Sequence, residues 1–396
     1  MTKTTKSILS ICAMSFIVLA SSATSPALST IAKSFPDASS AAISSIATIS
    51  CLTSLPFTII AGLIAGKKVK FRTISIVGTT IVMIGGVIPF FSSTLTEILI
   101  GRAVLGIGNG LTTPIIVTLT LSLFDGPKSA KQFSRNMMAT NAGAVIFQLA
   151  GGYLCNYGWK MPFLSYLVVA PVLLIIIFFL PEPDKIVTKD GNVKARFDFK
   201  EVVTPHVLFW GILHFFYMIF FYPYVTEMSS IITGEGIGTS MTAAIVLSLY
   251  TGAGVLGGYL FYFIDKKIGY HTFAVGFGLG TIGYFGLLQV KSIVGIALIS
   301  MVFGIGYGMI APAINYYLGR KLKPEFRSAS VSTETLFSNL GSFSSPFVLS
   351  FLRSAIPLEI NRLTFFFCLI FYALVTIGFG IYGFTKKAKD ALPVKK

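Results

Sequence analysis

The sequence predicts an all-α membrane protein with twelve transmembrane helices, arranged as two six-helix bundles related by pseudo-twofold symmetry. Three observations support this prediction: an apolar composition, a one-sided distribution of basic residues, and motifs of the first half that recur in the second. Of the 396 residues, 54% are hydrophobic and only 12% are charged, and the mean hydropathy is +0.80. Because about a quarter of the residues in a soluble domain are charged, this composition indicates that the bilayer is the solvent.

Twelve segments are apolar over about 20 residues, the helical length that crosses a hydrocarbon core of about 30 Å. The predicted spans are residues 8–30, 41–66, 73–91, 97–122, 131–155, 161–180, 205–228, 240–264, 272–290, 293–318, 328–352 and 362–384. Since twelve is an even number, both termini are expected on the same side of the membrane.

The 31 Lys and Arg residues lie mainly in alternate connections between these spans. With both termini in the cytoplasm, 25 of them are cytoplasmic, five are on the outer side, and Arg102 lies inside a span. This asymmetry follows the positive-inside rule and predicts a multi-pass protein of the cell (inner) membrane with both termini cytoplasmic. The net charge of +16 therefore reflects topology. No nucleic-acid partner is predicted, because no connection is long enough to form a folded basic surface.

One polar stretch, PEPDKIVTKDGNVKARFDFKEVVT, separates the first six spans from the last six. Its prolines, its Lys-Asp-Gly turn and its mixed charges are typical of a connection outside the membrane. We therefore predict an N-terminal bundle of residues 1–182, a cytoplasmic linker of residues 183–204, and a C-terminal bundle of residues 205–396 that ends in a short basic tail.

A motif of the fourth span recurs in the tenth. The sequence GIGNGLTTP (residues 106–114) returns as GIGYGMIAP (304–312), 198 residues later. At the same offset, Asn-Ala-Gly at 141–143 matches Asn-Leu-Gly at 339–341. Two matches at one offset in adjacent spans indicate a duplicated six-helix unit, with the copies in parallel orientation because six is even.

The repeated motif places two glycines and a proline four residues apart along each helix. These residues are Gly106, Gly110 and Pro114 in the first copy and Gly304, Gly308 and Pro312 in the second. The glycines allow a neighbouring helix to approach closely, and the proline removes a backbone hydrogen bond and permits a bend. Two interpretations remain open: tight helix packing alone, or a flexible helix that lines a cavity. A phosphate-binding loop is excluded because no strand precedes the motif.

Two spans carry an Asp, Glu, Lys or Arg residue well inside: Arg102 in the fourth and Glu334 in the eleventh. A charge at the bilayer centre costs roughly 2.5–3.5 kcal/mol on insertion scales, so such a group normally faces a partner or a wet cavity. In the repeat, Arg102 corresponds to Ser300 and Glu334 to Asn136, so the copies differ at both charged positions. Alternatively, each charged side chain lies near enough to the end of its span to snorkel into water.

Uncharged polar groups and one histidine also lie within the spans. His214, in the aromatic stretch FWGILHFFYMIFFYPY, is either a proton carrier or a hydrogen-bond partner of a neighbouring helix. Four amides, Asn109, Gln148, Asn315 and Asn339, are expected either to bind substrate or to join helices.

Several local motifs now point to a family. The segments LIGRAVLGIGNG (99–110), GGYLCNYGWKMPF (151–163) and PEP (181–183) resemble those of the major facilitator superfamily, and the last two are similar to its drug:proton antiporter branch. The resemblance covers essentially the whole chain. It implies a central cavity that opens alternately to each side, lined mainly by helices 1, 4, 7 and 10 with support from helices 2, 5, 8 and 11.

The chain departs from the family pattern in two places. In the loop GLIAGKKVKFR, Gly66 stands where the family has aspartate, so the predicted cytoplasmic gate relies on basic residues and on an acid of the second half. Its residues are Gly62, Lys67, Arg72, Asp265 and Lys266. The fifth helix has Phe147-Gln148 in place of the antiporters' Gly-Pro, which leaves uptake by symport open.

The favoured function is secondary active transport driven by protons, with export of amphiphilic compounds. The alternative is a proton-coupled symporter that imports a small organic anion, with Arg102 as the anion's partner. An enzyme is not predicted, because the spans offer no nucleophile with a base. No metal or other cofactor is predicted either, since the cysteines and histidines lack ligand spacing. The expected partners are a small-molecule substrate, protons and the lipid bilayer, and the expected state is a monomer.

Overall fold

A computed structural model of the chain describes residues 2–66, 68–124, 126–183, 204–320, 327–356 and 362–385. The chain divides into two compact units, Met1–Phe197 and Asp198–Lys396. Most of the predicted linker, residues 184–203, lies outside the described residues, as do Lys67 and the basic tail from residue 386.

Among the described residues, each unit has six long helical segments. Those of the N-terminal unit are α1 (Thr4–Ser34), α2 (Ser40–Ile64), α3 (Phe71–Phe91), α4 (Leu95–Leu123), α5 (Gly126–Leu154) and α6 (Met161–Phe179). Those of the C-terminal unit are α7 (Pro205–Gly234), α8 (Ser240–Ile268), α9 (His271–Gln289), α10 (Ile293–Arg320), α11 (Arg327–Ala355) and α12 (Leu363–Gly383). A 3-10 stretch, Ala20–Ala27, interrupts α1, and another, Met161–Val168, begins α6.

Ten of these helices are long and apolar enough to cross a membrane. The other two, α5 and α11, begin with polar turns but are each 29 residues long, which is about 44 Å at 1.5 Å per residue. The all-α, twelve-helix prediction is confirmed. The first helix of each unit extends past its predicted end, to Ser34 and to Gly234, because its polar last turns continue the helix beyond the apolar window.

The start of α4 is fixed by a capping box between Thr94 and Glu97. The Glu97 backbone N–H donates to the Thr94 hydroxyl at 3.3 Å, and the Glu97 carboxylate accepts from the Thr94 backbone N–H at 3.2 Å. The Glu97 carboxylate therefore caps the start of α4 rather than pairing with Arg102, five residues later.

The glycine-bearing helices α4 and α10 lie directly against the backbones of α2 and α8. A Cβ atom built on any of the four repeated glycines would lie 1.9–2.4 Å from a backbone carbonyl oxygen of the neighbouring helix. The facing pairs are Gly106 with Ser50, Gly110 with Ser54, Gly304 with Tyr250, and Gly308 with Gly254. These contacts provide the close packing that one interpretation of the motif requires, and both helices continue through their prolines, Pro114 and Pro312.

The second repeated motif joins another pair of helices in each unit. A Cβ on Gly143 of α5 would lie 1.8 Å from the Phe16 carbonyl oxygen of α1, and a Cβ on Gly341 of α11 would lie 2.3 Å from that of Phe215 on α7. The internal packing of the two units thus follows one scheme, as expected of a duplicated unit.

The interiors of the units differ in aromatic content. Among the described residues, the N-terminal unit buries one tyrosine, Tyr166, and the C-terminal unit buries seven. Those seven are Tyr217, Tyr224, Tyr250, Tyr270, Tyr284, Tyr317 and Tyr372. The glycine contacts therefore hold a similar backbone around two chemically different cores.

Candidate functional site

In the C-terminal unit, α7 and α11 bring together two of the predicted residues, His214 and Glu334. The His214 Nδ1 atom is hydrogen-bonded to the Glu334 Oε1 atom, and the side chains are only 6% and 2% exposed. The snorkelling alternative is therefore wrong for Glu334, because its carboxylate finds a partner within the unit rather than water.

Close approach of the two helices makes this contact possible. A Cβ on Gly211 of α7 would lie 2.6 Å from the ring of Phe337 of α11. A Cβ on Gly341 of α11 would lie 2.3 Å from the Phe215 carbonyl oxygen of α7. His214 follows Gly211 by three residues, so it lies on the same side of α7 and points toward α11. The small residues of both helices thus position the acid beside the imidazole.

The second ring nitrogen of His214, Nε2, is buried and has no hydrogen-bond partner among the described residues. The Tyr217 ring lies beside the imidazole, 5.6 Å between centroids. A bond between Nδ1 and the carboxylate uses one proton. A second proton at Nε2 would convert a site of net charge −1 into a neutral imidazolium–carboxylate pair without breaking that bond. The geometry therefore allows the site to gain or lose one proton while both groups stay partnered.

The repeat counterpart of Glu334 lies in a neutral network. The Asn136 side-chain N–H donates to the Thr120 hydroxyl at 2.9 Å, and its oxygen accepts from the Gln132 amide at 2.9 Å. The same Gln132 amide lies 3.4 Å from the Cys12 sulfur of α1. Helices α1, α4 and α5 thus contribute a thiol, a hydroxyl and two amides, where α7 and α11 enclose an acid and an imidazole.

Arg102 is fully buried in the N-terminal unit. Its Nε atom donates to the Ile46 carbonyl at 3.0 Å and an Nη atom to the Ser21 carbonyl at 3.3 Å, while the other Nη donates to the Tyr166 hydroxyl. Its side chain is 0% exposed, so the snorkelling alternative is wrong here as well. The three acceptors are neutral oxygens from α2, α1 and α6, so the guanidinium joins three helices.

The repeat counterpart of Arg102 is also buried. Ser300 of α10 is 0% exposed, and its hydroxyl lies beside the Tyr224 hydroxyl of α7. In the C-terminal unit, Tyr284 of α9 takes over part of the role, since its hydroxyl donates to the Phe220 carbonyl at 2.7 Å. A neutral phenol thus binds the first helix of that unit where a cation does so in the other.

The four predicted amides lie in different environments, two in each unit. Asn109 is half-buried and its side-chain oxygen has no partner among the described residues, whereas Gln148 is buried. Asn315 is exposed and donates to the Ala311 carbonyl of its own helix at 3.2 Å, and Asn339 is half-buried on α11.

The predicted gate residues lie at helix ends, apart from Lys67, which is outside the described residues. Gly62 is exposed and a Cβ there would touch nothing within 4 Å. The Arg72 side chain donates to the Ile177 carbonyl of α6. Asp265 accepts from the Tyr317 hydroxyl at 2.7 Å, and Lys266 is exposed.

Glu182 is a residue whose position the sequence did not reveal. Its two carboxylate oxygens accept from the backbone N–H groups of Phe71 and Arg72 at 2.7 and 3.0 Å, at the start of α3. A carboxylate at a helix N-terminus is favoured by the free N–H groups and the helix dipole. The acid absent from position 66 is thus supplied from the end of α6, and the PEP motif was the available signal.

Comparison with known proteins comes from the sequence and from the fold. Residues 10–346 match the family described as Major Facilitator Superfamily. No curated protein matches the chain in sequence.

Among solved structures, the chain resembles a bacterial homologue of the human lysosomal transporter Spinster in an inward-facing, unoccupied conformation. The identity is 15% and the TM-score 0.78, over 96% of this chain and 97% of that chain. The nucleoside transporter NupG is 10% identical with a TM-score of 0.78, over 96% and 100% of the chains. A POT family transporter in complex with 5-aminolevulinic acid is 14% identical with a TM-score of 0.74, over 95% and 96%. At these identities the likeness shows the fold alone.

Proposed function

The chain belongs to the major facilitator superfamily, and from that membership we propose that it is a proton-coupled secondary active transporter of a small organic solute, working by alternating access. We further propose that it exports amphiphilic compounds, as its local resemblance to the drug:proton antiporter branch suggests. The observation that carries proton coupling is the buried contact between His214 and Glu334.

Proton coupling requires a group whose protonation changes during the cycle. Isolated buried charges are costly, so such a group needs a partner that stays bound in both protonation states. The Nδ1 contact to Glu334 meets this requirement, because Nε2 of His214 is left to take up the second proton. Uptake at Nε2 neutralises the site, and release restores its negative charge, which gives substrate and proton a means to influence one another.

The experiment uses purified protein in liposomes that contain a pH-sensitive dye, challenged with amphiphilic compounds under an imposed proton gradient. Glu334→Gln keeps a hydrogen-bonding group beside His214 but removes the acid. We expect this variant to bind compounds while losing the proton flux that accompanies their movement. Glu227→Gln is the matched control, because Glu227 lies on α7 and faces Arg353 at 3.9 Å. Equal proton flux in both variants and the unmodified protein would rule out the pair as the coupling site.

The second candidate function is import of a small organic anion with Arg102 as its partner. One observation favours it: the guanidinium has only neutral acceptors, so no carboxylate of the described residues balances its charge. Its complete burial favours a positioning role instead. In vesicles, Arg102→Ala should abolish substrate affinity if an anion binds there. Loss of stability with unchanged affinity would identify Arg102 as a residue that joins helices.

We also propose that the protein is a monomer of the cell (inner) membrane with both termini cytoplasmic. The topology rests on the distribution of basic residues, with 25 on the side assigned to the cytoplasm and five on the other. Protease treatment of right-side-out and inverted vesicles should remove a tag placed after Lys396 only in inverted ones.

A further inference from the structure

The C-terminal unit has a pocket of about 450 Å³ between α7, α12 and the start of α9. Its walls are mainly apolar, with polar groups from His206, Tyr270 and Tyr382, and the apolar lining residues include Phe209, Trp210, Leu213, Val375 and Phe379. The volume falls within the roughly 300–1,000 Å³ of small-molecule sites. Because neither His214 nor Glu334 lines this α7–α12 pocket, it is separate from the candidate proton site.

The pocket opens onto an apolar surface. Gly378 on α12 forms part of its wall, and a Cβ atom there would touch nothing within 4 Å. Beside it on the same two helices, large apolar side chains are 47–65% exposed, namely Phe209, Ile212, Leu374 and Ile377. In a membrane-spanning unit, lipid chains cover such a surface. A lipid acyl chain that covers these residues can enter the pocket without passing through water.

One edge of the pocket is polar, and two lysines precede this edge closely in the chain. Tyr270 lines the pocket immediately before α9, and the exposed Lys266 and Lys267 precede it at the end of α8. In the orientation that the basic residues predict, this edge faces the cytoplasm. Paired lysines at that level attract the anionic headgroups of the cytoplasmic leaflet.

We propose that the α7–α12 pocket binds an acyl chain of an anionic phospholipid from the cytoplasmic leaflet. The apolar walls accommodate the hydrocarbon, the opening beside Gly378 connects it with the bilayer, and Lys266 and Lys267 attract the headgroup. The exposed apolar residues at the opening favour a membrane lipid over a water-soluble ligand, which would have to cross the hydrocarbon-covered surface.

Tryptophan fluorescence tests this proposal directly. The chain has two tryptophans, Trp159 and Trp210, and Trp210 lines the pocket although it is only 2% exposed. The full-length Trp159→Phe variant is reconstituted in bilayers that contain phosphatidylglycerol brominated on its acyl chains. We expect a loss of Trp210 fluorescence relative to unbrominated bilayers. Unchanged fluorescence would overturn the proposal.

Two leucine substitutions in the Trp159→Phe background separate pocket occupancy from general contact with the bilayer. Gly378→Leu fills the opening and should restore Trp210 fluorescence. Gly380→Leu makes the same change on α12 at a position that does not line the pocket and is equally free of neighbours within 4 Å, so quenching should persist. Val375→Phe fills the pocket from one turn away and should act like Gly378→Leu. Equal quenching in all variants would contradict the proposal.

The headgroup is tested in the same assay. We expect brominated phosphatidylcholine to quench Trp210 less than brominated phosphatidylglycerol, and the Lys266→Gln, Lys267→Gln double variant to remove that difference. Equal quenching by both lipids in the unmodified lysine background would overturn the anionic part of the proposal. The assay applies no proton gradient and no transported compound, so its outcome does not depend on the proposed transport function.

Discussion

The two units share a scaffold, but their buried polar groups differ in charge and in hydrogen bonding. In the N-terminal unit, the Arg102 guanidinium binds oxygens of three helices and is 0% exposed. In the C-terminal unit, the His214 imidazole binds Glu334 through one nitrogen and keeps the other without a partner among the described residues. A permanently charged group that donates to three neighbouring helices holds those helices together. An acid and an imidazole whose second ring nitrogen has no partner among the described residues can exchange a proton at that nitrogen. We infer that the duplicated fold assigns structure to one polar site and exchange to the other.

The largest expected effect comes from making the first site resemble the second. Arg102→Ser introduces the residue of the second copy, and it leaves the Tyr166 hydroxyl and two carbonyl oxygens without their charged donor. Hydrogen bonds to charged groups contribute about 1.5–3 kcal/mol each, so the free energy of unfolding should fall by roughly 3 kcal/mol or more. Thermal unfolding in detergent measures the change. Arg353→Ser, at a half-buried arginine, should cost far less, and equal costs would refute the structural role.

A somewhat smaller effect tests whether the scaffold is shared. Alanine at Gly110 or at Gly308 places a Cβ 2.3 or 1.9 Å from a facing carbonyl oxygen, so each should lower the free energy of unfolding by about 1–3 kcal/mol. Gly319→Ala, on α10 with nothing within 4 Å, should instead stabilise by up to about 1 kcal/mol. A large cost in one copy only would show that the two packings are not equivalent.

The third prediction removes proton exchange from the second site while keeping its hydrogen bond. In His214→Gln, the side-chain amide still donates to Glu334 but takes up no second proton. Proton flux per transported compound should be lost or strongly reduced, because the amide that replaces the imidazole takes up no second proton. The liposome assay measures it, with His206→Gln as the control at the other histidine of α7. If flux is unchanged, exchange does not occur at Nε2.

The smallest effect concerns the ends of the units opposite the predicted linker. There the C-terminal unit joins its helices through Arg362, which donates two hydrogen bonds to the Glu235 carboxylate, at 2.6 and 2.7 Å. The N-terminal unit uses an apolar contact between Phe35 and Trp159, with ring centroids 5.2 Å apart. Acid should therefore weaken the first connection and leave the second intact.

The sign of this pH dependence follows from Glu235. Its hydrogen bonds to the Arg362 guanidinium lower the pKa of the carboxyl below the ordinary value. The stabilisation is complete above the ordinary pKa of about 4.3 and is lost as the pH falls through the lower, folded-state pKa. Because the carboxylate is partly exposed, the contribution is at most about 1 kcal/mol. The melting temperatures of the unmodified protein and of Glu235→Gln should be equal below the folded-state pKa of Glu235 and should differ above it. Parallel curves at all pH values would contradict the assignment.

The fold was predictable because it depends on long, repeated signals. Span lengths are set by the bilayer, and α6, predicted at 161–180, is observed at Met161–Phe179. The copies were visible because the repeated glycines contact a neighbouring backbone in both units, where a larger side chain would not fit. Sequence predicts the role of a residue well where few other roles are open to that residue type in a membrane helix, as for these glycines.

The contacts of the polar residues were not predictable in the same way. Whether His214 meets Glu334 depends on how α7 and α11 are rotated about their axes, and apolar spacing says little about a helix that is aromatic on all sides. The burial of Arg102 depends on the Ser21 carbonyl, which lies in the 3-10 stretch of α1. Irregular backbone at membrane depth is tolerated where protein covers it, and the small residues and Pro26 of that stretch do not by themselves predict a 3-10 conformation.

The depth of Glu334 has an electrical consequence. Glu334 is seven residues from the start of the 29-residue helix α11, about a quarter of the way along it. Seven residues of helix rise about 10 Å, so a proton that reaches His214 and Glu334 from that end would cross at most about a third of a field that falls over a core of about 30 Å. For a potential of 100 mV, worth about 2.3 kcal/mol per charge, this is at most roughly 0.8 kcal/mol, or about a fourfold change in proton occupancy. The proposed exchange site would then sense membrane voltage as well as pH.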